Sequence, residues 1–367
     1  MSLSKPPSPA PSETAAAQRR PVGRATAIIL GLATIPGLIA LVATNDSYGY
    51  FADEFYYLAC SEHLAWGYVD HPPLSIVLLA LSRAILGDAL WALHLLPALA
   101  VAGSVVLTGL MARRLGAGAF GQGLAALAAV ITPLYLVFAS FYSMNAFDLL
   151  FWCLGAYVII GILKNDAPKG WLLFGLIAGL GLQNKLSMGF FGLGLCVALV
   201  FTRNRKYIVS KVGGKFRPGL YLWGGGALAM LIFLPHLIWQ ALNDWPTIEF
   251  MRNSIALHGD SPLGFLFLQV FGPHPLNFPI WLAGLYFYLF SQRGKPYRMM
   301  GIIYVSVFFL LILRAREPTT FTSHIQCSSR VGRCSSSPSS IAGNGAGVSS
   351  NRSSSRPWCW ALCLCCR

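Results

Sequence analysis

Long apolar runs recur along the chain, each closed by a short cluster of Arg, Lys, Gly or Pro. Nine of them predict membrane-spanning helices, at 25–44, 89–111, 119–140, 145–163, 171–184, 186–202, 219–240, 275–291 and 299–313. The fifth is short for a bilayer. Two stretches follow another pattern. Phe55–Trp66 sets aromatic and aliphatic residues on one side and polar ones on the other, as a helix lying in the membrane interface does. Residues 73–87 are apolar, too short to span, and followed by Gly87-Asp88, which predicts a second surface helix. The apolar piece at 263–272 is a candidate re-entrant segment.

Composition agrees with a bilayer as outer solvent. Hydrophobic residues make up 55% of the 367, charged ones only 11%, and mean hydropathy is +0.59. A soluble domain of this size cannot build its surface from so few charges. The net charge of +14 does not mark a nucleic-acid binder, because the basic residues sit in small clusters between apolar runs. Cys60, Cys153 and Cys196 read as small buried hydrophobes; the other six of nine cysteines fall in the last 41 residues.

Charge placement gives the topology. With the N-terminus in the cytoplasm, 17 of the 22 Lys and Arg up to Arg316 fall on the inner side and five on the outer, as the positive-inside rule demands. The expected location is the plasma membrane. Residues 1–24 read as a disordered cytoplasmic tail, 25–317 as the membrane domain. The first run lacks a small-residue cleavage site after it and predicts a span, not a removed signal. From 318 to 367 there is no Asp or Glu, there are 13 serines, and no helical or strand period is visible. In an adjacent reading frame most of those serine codons, read as TCN, become Phe, Leu, Ile or Val, and the frame permits Tyr-Tyr at its start. The expectation is a single-base shift near Pro318 that replaced the native C-terminus. Resequencing the gene across that codon tests it: an unbroken composition in the other frames removes the idea.

The outer side owns the chemistry-bearing segments. Residues 45–88 hold Asp46, Asp53, Glu54, Glu62 and Asp70, and 241–274 hold Asp244, Glu249, Arg252, His258, Asp260 and His274. Asp53 and Glu54 precede the interfacial helix, where they either cap it or supply a general base beside a lipid-borne substrate. Asp70-His71-Pro72-Pro73 either fixes entry to the next helix or brings a carboxylate and an imidazole to a divalent cation. Lys185, in an outer turn, either snorkels or holds a phosphate. Arg314 and Arg316 face outward against the charge bias, which favours an anionic headgroup as their partner. Asp148, near the outer end of the fourth run, points to a hydrogen bond between helices or to a functional carboxylate. Gly175 and Gly179 form a small-xxx-small packing pair.

Together these residues resemble the bacterial family-39-like membrane glycosyltransferases, relatives of protein O-mannosyltransferases and of lipid A aminoarabinose transferase, over about residues 25–317. The marks are Asp53-Glu54, Asp70-His71-Pro72-Pro73-Leu74, Ala112-Arg113-Arg114-Leu115, Gly179-Leu180-Gly181-Leu182-Gln183-Asn184-Lys185, and Asp244-Trp245-Pro246-Thr247 with Glu249-Phe250. A Tyr-Tyr pair of the family is missing, and the shifted frame restores it. The resemblance implies an all-α GT-C helical bundle with outer juxtamembrane helices. It implies transfer of a sugar from a polyprenyl-phosphate donor to an acceptor hydroxyl of a glycan, lipid or protein at the outer face, with inversion. Asp53 becomes the base with Glu54 beside it, Lys185 with Arg314 or Arg316 holds the donor phosphate, and Asp70 helps bind a metal in some relatives. His71 departs from relatives with lysine before the double proline, which leaves its role open. The rival class is a transporter or flippase for a lipid-linked or anionic substrate, against which stand outer-loop charges and the lack of a visible inverted repeat. A third reading is a chain left inactive by its altered end.

Overall fold

The computed structural model describes residues 21–43, 49–208, 218–258 and 262–314, and among them every regular element is helical. The tail expected from residue 318 onward lies outside the described residues. Helix α1 spans Pro21–Ala43, so it begins inside the stretch read as tail. Two surface helices follow, α2 at Ala52–Glu62 and α3 at Leu74–Leu86. The interfacial helix thus stops at Glu62, short of the expected Trp66, because the chain turns at His63 and Tyr68 braces the loop behind it. The Tyr68 hydroxyl lies 3.1 Å from the His63 carbonyl and accepts from the Ala65 N–H at 3.2 Å.

Then come α4 at Leu90–Arg114, α5 at Ala119–Val130, α6 at Pro133–Ser140, α7 at Met144–Asn165, α8 at Gly170–Asn184 and α9 at Met188–Phe201. The chain continues with α10 at Pro218–Leu242, α11 at Pro246–His258, α12 at Pro262–Phe271, α13 at Phe278–Leu289 and α14 at Arg298–Arg314. Five helices are long and apolar enough to cross a bilayer: α1, α4, α7, α10 and α14. The expected third span is broken into α5 and α6, bent by 60°. Pro133 lacks the N–H that would continue α5, and at the gap the Ala128 carbonyl accepts from Thr132 Oγ1 at 2.9 Å and from Asn277 Nδ2 at 2.8 Å. The expected fifth, sixth and eighth spans are helices of 15, 14 and 12 residues.

Helix α8 lies along α10 at backbone contact distance. A Cβ on Gly175 would stand 2.1 Å from the carbonyl oxygen of Gly225, so glycine at both positions is what lets the two helices approach. Buried Trp171, Phe174, Phe191 and Met299 fill the space among α7, α8, α9 and α14. A second core of Tyr57, Ile76, Leu79, Val101 and Tyr142 seats the surface helices on α4 and α7. Outward-facing Val42, Phe120, Phe201 and Leu242 are at least 75% exposed, a surface that hydrocarbon solvates and water does not. Cys60 and Cys153 are buried as expected, whereas Cys196 is exposed on the outside of its helix.

The ends of the bundle differ in chemistry. At one end Lys164 Nζ donates to the Arg114 carbonyl at 2.7 Å, and Lys206 pairs with Asp166 at 2.7 Å. The acidic loop and the Lys185 turn gather at the other, because α4, α7, α8 and α9 each run between the two.

Candidate active site

Ser143 caps α7 by accepting the Asn145 N–H at 3.3 Å, and the residues from Phe141 to Ser143 run extended into the first turn of the helix, which completes a segment Phe141–Asn145. That segment is a shared seat. Glu54 Oε1 accepts the Tyr142 N–H at 2.5 Å. The Met144 N–H donates to the Tyr57 hydroxyl at 3.2 Å, and the Met144 carbonyl accepts from Asn184 Nδ2 at 2.9 Å. Lys185 Nζ donates to Asn145 Oδ1 at 2.6 Å. The acidic helix α2 and the lysine turn, far apart in sequence, therefore meet on one stretch of backbone.

The two adjacent carboxylates do different things. Glu54 is fully buried; Oε2 accepts the Phe51 N–H at 2.8 Å, and Oε1 also accepts from His94 Nε2 at 2.8 Å. Such a carboxylate has little capacity left for a substrate proton. Asp53 is exposed in the first turn of α2, and among the described residues it has no hydrogen-bond or ion-pair partner. Glu62 and Asp88, by contrast, both pair with Arg83, at 3.3 and 2.5 Å.

Asp70 accepts from the Tyr56 hydroxyl at 2.7 Å. Burial and then the Asp70 carboxylate push the Tyr56 phenol above its ordinary range. His71 is fully buried and stacks on Tyr57 with ring centroids 5.1 Å apart. Its Nδ1 donates to the Pro72 carbonyl at 2.9 Å, which leaves Nε2 buried without a hydrogen bond, 3.7 Å from Asp70 Oδ1. Asp70 and His71 are thus an arrangement of two possible metal ligands, and among the described residues no group of three His, Cys, Asp or Glu side chains gathers.

Lys185 has Asp148 behind it, Nζ to Oδ2 3.9 Å, and Asp148 accepts from Ser187 Oγ at 2.5 Å. Asp148 therefore ties α7 to the turn between α8 and α9. The loop from Trp66 to Tyr68 is fastened to the far helices. His236 Nδ1 donates to the Trp66 carbonyl at 3.2 Å, and Gln240 Nε2 donates to Thr247 Oγ1 at 2.5 Å. Asp244 and Trp245 both take left-handed backbone angles, φ 60° and 57°, which turns the chain sharply from α10 into α11. Arg314 and His258 end α14 and α11 with side chains outside the description, and Arg316 lies outside the described residues.

Sequence reasoning missed His94, Tyr142 and Asn145, and had Asn184 only as one member of the Gly179–Lys185 motif. A lone histidine in an apolar run was a signal for the first; the Tyr142 contribution is a backbone N–H and had none. His94 also borders an apolar cavity of about 380 Å³ between α1 and α4, lined by Ala33, Gly37, Trp91, Leu95 and Leu99.

Among solved structures the chain is similar to ArnT from Cupriavidus metallidurans bound to undecaprenyl phosphate, with a TM-score of 0.59 and 17% sequence identity. The likeness covers 84% of this chain and 64% of that one, so this chain spans less than two thirds of its neighbour's length. The fold is GT-C. Residues 70–239 of the GT-C bundle match the family described as dolichyl-phosphate-mannose-protein mannosyltransferase. The family-39-like resemblance is thereby borne out, and the matched segment contains Asp70, Tyr142, Asp148 and Lys185 but begins after Asp53. No curated protein matches the chain. A multi-pass GT-C membrane protein is the result.

Proposed function

We propose that this chain is a membrane glycosyltransferase that moves a sugar from a polyprenyl-phosphate donor to an acceptor hydroxyl. One observation carries the reading. Glu54, next to the exposed and unpartnered carboxylate of Asp53, and the cation of Lys185 both hydrogen-bond to the Phe141–Asn145 seat at one end of a helical bundle. The family match and the likeness to a structure that contains undecaprenyl phosphate support it.

Asp53 takes the proton of the acceptor hydroxyl as its oxygen bonds to the anomeric carbon. The bond from that carbon to the phosphate oxygen breaks on the opposite face, so the sugar inverts. Polyprenyl phosphate leaves with the electron pair, and Lys185 absorbs part of its charge. Glu54 keeps α2 on its seat and does not touch the reactants. A divalent cation held by Asp70 and His71 would add charge stabilisation there; no step depends on it. The positive-inside count supports an outer-face location for this end.

The test uses membranes bearing the full chain, labelled polyprenyl-phosphate sugars and a mixture of membrane acceptors. Label is expected to leave the donor with the native chain and to stay on it with Asp53→Asn, at equal expression. Transfer that survives the substitution removes Asp53 as the base, and no transfer from any donor removes the enzyme reading.

A further inference from the structure

The end of the bundle away from Asp53 holds a cavity of about 810 Å³, between the C-terminal end of α9 and the turn from α13 into α14. Helix α9 has 14 residues, so at 1.5 Å per residue this cavity lies about 20 Å from Lys185 along the helix. Three cations line it: Arg203, Lys295 and Arg298. Its remaining wall includes Phe201, Leu289, Phe290 and Ile302.

Three other cations on this rim have protein partners, whereas Arg113, Lys169, Arg205 and Arg293 are exposed and lie outside the cavity. Lys206 pairs with Asp166, Lys164 donates to the Arg114 carbonyl, and Arg114 donates to the Tyr157 carbonyl while its guanidinium lies 3.4 Å from the Tyr157 ring centroid. Arg203, Lys295 and Arg298 are exposed, and among the described residues no carboxylate pairs with any of them. Three positive charges around one concavity repel one another and are stable together when an anion sits among them. The apolar wall rules out a small hydrated anion as the best fit, since it would leave Phe201, Leu289 and Ile302 unused. The first turn of α14, which contributes Arg298, adds the positive end of a helix dipole.

We propose that this cavity binds one anionic phospholipid, with Arg203, Lys295 and Arg298 around the phosphate and the acyl chains along Leu289, Phe290 and Ile302. A basic pocket between membrane helices is the usual form of such a site. The lipid bridges α9 to the α13–α14 turn, and its binding does not depend on the glycosyltransferase reading.

The full chain, purified in detergent, is offered dioleoylphosphatidylglycerol or dioleoylphosphatidylcholine, and retained lipid is counted by native mass spectrometry. Phosphatidylglycerol is expected to stay bound at least about tenfold more strongly than phosphatidylcholine. The R203Q/K295Q/R298Q variant is expected to lose on the order of 100-fold in that binding, as three cations near an anionic surface contribute. Because those charges also help set topology, Ile302→Trp supplies a second arm: it fills the floor, leaves every charge in place, and is expected to lower retention. Equal retention of the two lipids overturns the proposal, as does native-like binding by both variants. Release of the lipid by millimolar inorganic phosphate also overturns it, since the site then recognises a free anion.

Discussion

Glu54 Oε1 receives hydrogen bonds from both His94 Nε2 and the Tyr142 backbone N–H, so one buried oxygen joins the surface helix α2 to α4 and to the seat before α7. Glu54→Ala leaves both of those donors without a partner in a buried place, and frees the half-exposed Phe51 N–H as well. Each such group costs about 1–3 kcal/mol. The variant is expected to lose about 3 kcal/mol of stability, read from thermal unfolding in detergent, and to lose transfer along with it. Glu54→Gln retains an oxygen acceptor and is expected to recover part of both. A Glu54→Ala protein as stable as the native chain would show that α2 is held by its apolar face alone.

Lys185 is expected to act on the donor and not on folding. Lys185→Gln retains a donor for Asn145 but removes the charge opposite the phosphate. A charged hydrogen bond contributes about 1.5–3 kcal/mol, so donor KM is expected to rise on the order of 10- to 100-fold. Initial rates across donor concentration check this. An unchanged KM with a lowered melting temperature would instead make Lys185 a structural partner of Asp148.

The three consecutive glycines of α10 are expected to respond unequally. A Cβ on Gly225 would stand 2.2 Å from the Trp171 carbonyl oxygen, while one on Gly226 meets nothing within 4 Å. Gly225→Ala forces α8 and α10 apart, at a cost of about 1–3 kcal/mol. Gly226→Ala is expected to be neutral or slightly stabilising, because alanine loses less backbone freedom in a helix. Paired melting curves decide the matter.

Hydrogen bonds from Lys206 and then Tyr207 hold the Asp166 carboxyl below its ordinary value of 3.8. A depressed carboxylate stabilises the fold above its unfolded pKa, and that contribution disappears as pH falls through the folded one. Asp166 is mostly exposed, so solvent screening keeps the effect small. Unfolding scans between about pH 6 and pH 3 are expected to show a shallower acid decline in Asp166→Asn than in the native chain. Equal slopes would remove the ion pair from the account.

Membrane architecture was readable because apolar runs of bilayer length and the charge bias are properties of the chain alone. The break at Pro133 was missed because hydrophobicity continues through it, and periodicity does not register one missing N–H. Asp53 and Glu54 look alike in sequence; what separates them is a partner 40 positions away at His94 and another at Tyr142. Lys185 was legible from its place in a turn, but Asn145, which orients it, was not. Gly175 was read as a packing residue, yet its partner Gly225 lies in a segment whose glycines carry no distinguishing pattern.

Helices α8 and α9, with 15 and 14 residues, reach only about 22 Å and 21 Å at the standard rise. The hydrocarbon of a bilayer is about 30 Å deep. The hairpin is by itself shorter than that, yet Lys185 donates to Asn145 at the start of α7, whose 22 residues reach about 33 Å. A full-length neighbour thus sets the depth of the ammonium, so on the proposed function a long-chain phosphate would meet its counter-charge at the level at which it travels.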